Sequence, residues 1–336
     1  MILIIHKLII ILLFSIILNI KIQVQNCENL NKRNQLENNL SGKNMIYKNF
    51  LRLYIENREE FYIKGREYWM KINGKKYNDS NIITIQDKLN YILIHESPEN
   101  KTDIVDKILL RNYSKKILGE DICPPILKIY NNVDEINLNE LPEKFVLKCN
   151  HGSQMNIICK DKKVFDLKAA KKKLRSWMNI NYGLISFEYQ YMNINKKIFA
   201  EKYLGENIVD YKINCYNGKP HHIRVKKHLN GKNVNNFYDV NWTLTNITFN
   251  YLNFIRDPSI KIERPVNLDK MINYSKLLSS EFCYCRVDLY EVNNKVYLGE
   301  LTFAPANMIM DYNDQNMRIY LGNQINISKI SSIKKK

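Results

Sequence analysis

Apolar and polar positions alternate along this chain in three kinds of pattern. The stretch 1–24, MILIIHKLIIILLFSIILNIKIQV, is almost continuously apolar, interrupted by His6 and Lys7. From Leu8 to Ile20 it matches a signal-peptide core and falls short of the about 20 residues a bilayer span needs. The pattern predicts a signal peptide or an uncleaved signal anchor. Residues 25–44 are polar, Asn-rich and aperiodic, which reads as a linker. Beyond residue 45, helical spacing predicts helices over Met45–Phe61, Asp103–Leu118, Asp166–Ile180 and Leu268–Ser280. In the third of these Leu167, Leu174, Trp177 and Met178 form one stripe. Alternation and short apolar runs predict strands over Lys144–Lys148, Asn156–Lys160, Ile198–Tyr203, Tyr211–Tyr216, His221–Lys226, Cys285–Val292 and Lys295–Phe303, with ILKIY after Pro125 as another, followed by a short helix. No repeat is visible. The order is that of an α+β protein with an N-terminal accessory region over 45–140 and its chemistry further on.

Charge alters this picture little. The 51 Lys and Arg against 34 Asp and Glu give a net charge of +17, which ordinarily points to an anionic partner. The lysines are spread along the whole chain among Ile, Asn and Tyr, as AT-rich codon usage would produce, and are not gathered beside aromatics. No nucleic-acid partner is expected. Seven cysteines, odd in number and without CxxC spacing, argue against a zinc site or a disulfide framework. Cys283 and Cys285, two apart on a strand, read as buried thiols sharing one face. The apolar N-terminus directs the chain to the secretory pathway or a membrane tether.

The segment 285–307, CRVDLYEVNNKVYLGELTFAPAN, places Arg286, Asp288 and Glu300 in a β-hairpin, where they are costly to bury and useless for packing. An odd-length loop, Asn293-Asn294-Lys295, sets Asp288 against Glu300 and Arg286 against Thr302. A two-residue Asn293-Asn294 turn would put the two carboxylates on opposite faces. Opposed carboxylates with Cβ atoms about 5 Å apart repel unless a cation lies between them. Oxygen-only ligands of this kind suit Mg²⁺, which takes its remaining ligands from water and phosphate. The alternative is an edge hairpin whose acids face water.

Two other segments carry charge at strand ends. In KFVLKCNHGSQMNIICK, 144–160, Lys148 ends a strand before the turn His151-Gly152-Ser153-Gln154. A lysine beside exposed backbone N–H groups can hold phosphate without the GxxxxGK[ST] spacing of a P-loop. In 199–228, Glu201 and Lys202 end a strand, Asp210 and Lys212 open a hairpin turning at Asn217-Gly218, and Arg224 and Lys226 alternate onto one face. His221 and His222, adjacent on a strand, are expected to point to opposite faces and so not to share a site. HGSQM lacks the second Gly and the elbow of a GxSxG hydrolase. No DxD triplet of a metal-dependent glycosyltransferase is present.

Taken in order, FVLKCNHGS, FAEKYL, DYKINCYNGKP, RVDLY and GELTFAP resemble the ATP-grasp fold, and within it the TupA-like branch, named for a teichuronopeptide biosynthesis protein. The resemblance covers roughly residues 120–325. It implies two α+β lobes gripping ATP, a small lobe over 141–205 and a large lobe over 206–325, with a basic tail over 326–336. It also implies that Lys148 holds the α and β phosphates and that Gly152 and Ser153 close over the phosphate chain. Glu201, Lys202 and Leu204 would meet adenine, and Asp210, with Lys212 beside it, the ribose side of the nucleotide. Asp288, Glu300 and Thr302 would bind Mg²⁺, and Arg286 and Lys226 would serve as catalytic cations. The implied activity is an ATP- and Mg²⁺-dependent carboxylate–amine ligase working through an acyl phosphate in cell-surface or glycan biosynthesis. A glycosyltransferase-like polysaccharide-biosynthesis protein and a degenerate ATP-grasp scaffold are the rival readings. Two positions depart from the pattern: Gln154 stands where the family's loop usually has Gly, and Thr302 where many ATP-grasp enzymes have Asn, the latter a trait of the branch.

Overall fold

The structure, a computed structural model, describes residues 42–76, 80–96, 98–206, 208–229, 232–250, 256–309, 311–312, 314–328 and 330. The expected signal or anchor, 1–24, and nearly all of the linker lie outside them. Among the described residues no helix is long and apolar enough to cross a membrane.

The N-terminal region is helical: α1 (Gly42–Glu56), α2 (Arg58–Ile72), α3 (Ile85–His95), α4 (Thr102–Val105) and α5 (Leu110–Leu118). The single helix expected over Met45–Phe61 is two. Asn57 leaves helical backbone at φ −152°, and its side chain accepts the Glu60 N–H at 3.2 Å, capping α2. The helix expected over Asp103–Leu118 is likewise broken where the Asp106 carboxylate accepts the Ile108 N–H at 2.7 Å and the Leu109 N–H at 3.3 Å. Helix α3 went unread, although Thr84 and Asp87 cap each other in a capping box three residues apart.

Two antiparallel sheets follow. The first runs in the order β1 (Ile126–Tyr130), β4 (Ile198–Lys202), β2 (Phe145–Cys149), β3 (Asn156–Cys159). Helix α6 (Leu167–Met178) lays Leu174 and Trp177 against it, with Leu167 and Met178 partly buried beside them, as the stripe predicted, and the short α7 (Tyr182–Ser186) follows. The second sheet contains β5 (Asp210–Tyr216), β6 (Lys219–Leu229), β7 (Lys232–Asp239), β9 (Tyr284–Val292) and β10 (Lys295–Thr302) in the order β10-β9-β5-β6-β7. A two-stranded piece pairs β8 (Phe249–Asn250) with β11 (Asp311–Tyr312).

The two-residue period of the second sheet divides its faces by chemistry. Ile213, Val225, Val287, Leu289 and Leu298 turn to one side and share a core with Leu268, Met271 and Leu278 of α8 (Leu268–Leu278). Each such side chain contributes about 1.5–3 kcal/mol on burial. Their neighbours in sequence therefore face the other way, and those neighbours include Lys212, Arg224, Lys226, Arg286 and Asp288. The second core cluster joins Phe61, Leu89 and Leu93 of the N-terminal helices to Phe187, Tyr189 and Leu321 of α9 (Gln315–Asn323). Cys283 and Cys285 are both buried free thiols, but they do not share a face. Cys283 precedes β9 and packs in this second cluster, whereas Cys285 lies in the sheet core.

Candidate functional site

The β9–β10 hairpin corrects one expectation and preserves its consequence. Lys295 pairs with Val292 and Leu298 with Leu289, so the turn is the two-residue Asn293-Asn294, with φ of 51° and 58° as a type I′ turn requires. Continued unchanged, that register would separate the two carboxylates. It shifts instead at Gly299, and beyond this bulge Glu300 pairs with Asp288 and Thr302 with Arg286. Gly299 suits the place because a Cβ there would lie 2.6 Å from the Tyr290 hydroxyl oxygen.

Across the charged face, Glu300, Asp288, Lys212 and Arg224 make one row, and Thr302, Arg286, Asn214 and His222 the next. Asp288 is fully buried. It accepts Arg286 Nε at 2.6 Å, Arg286 Nη2 at 2.7 Å and Lys212 Nζ at 2.5 Å. Burial by itself would raise its pKa, but Arg286 and then Lys212 outweigh that and hold the carboxyl well below the usual range. Burial likewise opposes the charge on Arg286, and Asp288 overrides it, so the guanidinium stays protonated. Lys212 also reaches Asp210 at 2.7 Å. Glu300, about a third exposed, receives Arg286 Nη2 at 3.4 Å and the Thr302 hydroxyl at 3.2 Å, while Thr302 accepts Nη2 at 3.1 Å.

Two carboxylates and a hydroxyl are an all-oxygen donor set, the kind a hard cation takes when phosphate and water complete its shell. Among the described residues no group of three or more His, Cys, Asp or Glu forms a protein-only metal cage. Glu300, whose ion pair with Arg286 is long and which is about a third exposed, has capacity for a cation. A cation reaching Asp288 has to displace Lys212 from its oxygen.

The other sheet supplies a second charged group. Lys148 on β2 forms an ion pair with Glu201 on β4. Lys202 is exposed, and its backbone N–H donates to the Pro125 carbonyl at 2.9 Å; Leu204 is half-buried just beyond the strand. In the turn after β2, Ser153 and Gln154 are exposed and Gly152 is buried. His151 is buried as well, its Nε2 3.0 Å from the Trp177 carbonyl oxygen, and burial lowers its pKa to about 4, so this part of the turn belongs to the core. Gln154 has φ of 60°, the left-handed region in which glycine is at ease.

Two residues escaped the sequence reading. Lys107, in the helical region and without a motif around it, donates through Nζ to the Gly152 carbonyl at 2.5 Å. Burial lowers the pKa of its ammonium; Glu300 raises it and Lys148 lowers it further, which places Lys107 within electrostatic reach of both charged groups. Glu188, also buried, accepts the Tyr182 hydroxyl at 3.1 Å, and burial raises its pKa to about 7. Lys226 is exposed and pairs across the strands with Asp210. His221 and His222 do not diverge as expected: His221 is the extra residue of a bulge, and the two Nδ1 atoms lie 3.1 Å apart. Burial, chiefly, lowers the pKa of each ring.

Comparisons with known proteins come from three directions. No curated protein matches. Among solved structures, the chain is similar to D-alanine–D-alanine ligase from Bacillus anthracis at 20% identity and a TM-score of 0.37, covering 68% of this chain and 66% of that one. It is similar to an L-amino acid ligase from Bacillus licheniformis at 12% identity and a TM-score of 0.38, covering 60% and 43%. An ADP complex of purK, N5-carboxyaminoimidazole ribonucleotide synthetase, follows at 14% identity and a TM-score of 0.36, covering 68% and 52%. The chain thus spans from under half to about two thirds of the length of these three structures. The model of the TupA-like ATP-grasp family matches residues 84–326, a range that takes in Lys107, both sheets, the bulged hairpin and the rows of charge upon it, and the chain is a member of that family.

Proposed function

We propose that this protein is an ATP- and Mg²⁺-dependent carboxylate–amine ligase that forms an acyl phosphate in the making of cell-surface or glycan-linked material. One observation carries the reading: Asp288 and Glu300 are opposed on one face of the sheet with Arg286 bonded to both. In the reaction a carboxylate oxygen of the acid bonds to the γ-phosphorus of ATP as the bond to ADP breaks. The amine lone pair then attacks the acyl carbon, phosphate leaves, the nitrogen loses a proton, and an amide results. Such chemistry depends on positioning and electrostatics, which suits a site of cations and carboxylates without a protein nucleophile.

In this reading Lys148, released from Glu201, holds the α and β phosphates, with Gly152 and Ser153 over the chain and Lys107 bracing the turn through the Gly152 carbonyl. Glu201, Lys202 and Leu204 line the adenine, with Asp210 and Lys212 on the ribose side. Asp288, Glu300 and Thr302 would hold Mg²⁺, which when bound neutralises phosphate charge. Arg286 stabilises the charge on the transferred group, and Lys226 is the second catalytic cation. The accessory region, small lobe and large lobe are proposed with the bounds read from the sequence, except that β1 pairs with β4 and so belongs with the small lobe, and the apolar 1–24 segment brings the chain to the membrane or the secretory pathway.

The test is ADP release by the purified full chain with candidate acids and amines. Asp288→Asn with Glu300→Gln should abolish Mg²⁺-dependent release, and an unchanged rate in that double variant would sink the reading. A non-catalytic scaffold is favoured by one feature, Lys212 lying on the Asp288 oxygen a cation would need. ATP binding with no ADP formed from any acid would decide for it.

A further inference from the structure

We infer that the acid used by this protein is a small monocarboxylate with an apolar body, bound in a cavity between Arg286 and Arg224 on one wall and helix α3 on another. The inference rests on the ligase reading above and names its substrate class.

The cavity opens beside Arg286 on the charged face of the large sheet. Its volume is about 30 Å³. A water-sized atom needs about 10–15 Å³, so the space takes the two oxygens of a carboxylate head and leaves the body to lie along the walls. Arg286 spends Nε and Nη2 on Asp288, Glu300 and Thr302, whereas its Nη1 makes no hydrogen bond among the described residues. Arg224 lines the same cavity, and burial followed by the charge of Arg286 lowers its pKa. The nearby Asp288 and Asp210 act on Arg224 in the opposite sense, and the Nη1 edge of Arg286 beside Arg224 presents planar donors that a carboxylate matches.

The remaining walls are mainly apolar or aromatic, including Leu89, Phe249, Met308 and Tyr312, and no acidic side chain lines the space. Phe249 and Tyr312 pack with ring centroids 4.4 Å apart. Of the polar groups beside the arginines, the Tyr284 hydroxyl already donates to Asn214 Oδ1 at 2.9 Å, so a sugar acid would bury several hydroxyls against Gln86, Tyr312 and little else, which is less favourable than burying an alkyl or aryl body.

The wall is also built against strain. Ala306, Asn307 and Met308, four to six residues past Thr302, all have left-handed φ, at 45°, 51° and 57°. Buried Arg66 on α2 holds them there, donating Nη1 to Asn307 Oδ1 at 2.6 Å and Nη2 to the Asn307 carbonyl at 2.9 Å, and Trp69 Nε1 adds a bond to that carbonyl at 3.2 Å. Strain of this kind persists only where surrounding structure over-determines it. The N-terminal helices thus supply one wall, through α3, and clamp another, through α2. Choice of acid depends on the accessory region as well as on the large sheet.

The experiment uses the purified full chain with ATP and Mg²⁺, and hydroxylamine as the amine, which traps an acyl phosphate as a hydroxamate. Benzoate, phenylacetate and isovalerate should give hydroxamate at least about tenfold faster than glucuronate. Calorimetric titration with phenylacetate should show binding weakened at least about tenfold in Arg224→Met and in Gln86→Glu, a nearly isosteric change on α3 that puts a negative charge at the cavity. Gln86→Glu should keep wild-type ATP affinity, which reports on folding. Wild-type phenylacetate binding in both variants would overturn the inference. Hydroxamate from glucuronate alone would overturn it while leaving the ligase reading standing, and ADP release with no acid would overturn both.

Discussion

Lys148 with Glu201 on the four-stranded sheet and Lys212 with Asp288 on the five-stranded sheet are both lysine–acid pairs on adjoining strands, but they differ in surroundings. The first keeps 22% and 11% of its side chains exposed, so solvent touches both partners although Glu201 is largely buried. In the second, Asp288 has no exposed surface and a bidentate Arg286 as well as the lysine. A pair in contact with solvent is cheap to open, so an incoming phosphate can take the lysine from Glu201. A desolvated triad is expensive to break, because removing one member leaves the others buried and uncompensated. One pair is thus suited to exchange partners during binding, the other to hold a geometry.

The strongest way to break this contrast is Asp288→Ala, which should destabilise the protein by about 3–5 kcal/mol in urea unfolding, since Arg286 loses its bidentate partner and Lys212 one of its two carboxylates. A loss below about 1 kcal/mol would show that the triad is solvated after all. Acid offers a milder probe of the same group. The folded pKa of Asp288 is depressed, so its contribution is fully present above the unfolded carboxyl value near about pH 4 and is lost as pH falls through the folded value. The thermal midpoint should therefore fall steeply below that pH, and Asp288→Asn should flatten the slope there. Lys148→Met sharpens the other side: stability should change by less than about 1 kcal/mol, while ATP affinity measured by titration should fall at least about tenfold. The smallest effect is expected at the turn itself. Gln154→Gly should raise stability by about 1 kcal/mol by relieving the left-handed backbone, read as a higher thermal midpoint. No rise, or a fall, would mean that Gln154 makes up for its strain in the folded state.

Much of the fold was legible because strand and helix periods are local. The strands read at Asn156–Lys160 and Cys285–Val292 end within a residue of those observed, and the α6 stripe faces the sheet as its spacing required. Helix interruptions were not legible, because Asn57 with one local side-chain bond and Asp106 with two break their helices and disturb no periodicity. Asp288 and Glu300 were brought together as expected, though by another route. Counting residues in the turn ignored the bulge, whose only local sign is a glycine in a strand. The same oversight separated His221 from His222.

By itself the sequence determined the ordered blocks, the family they belong to, and the alternation that puts Arg286, Asp288 and Lys212 on one face, because a period of two needs no partner to define it. Tertiary structure alone decided the register beyond Gly299, where a Cβ would meet Tyr290 across the hairpin, and the arrival of Lys107 at the Gly152 carbonyl from 45 residues away. It also decided the clamp of Arg66 on Asn307, a contact spanning 241 residues. Those features depend on groups that meet only after the chain has folded, and nothing in the neighbouring sequence records which groups those will be.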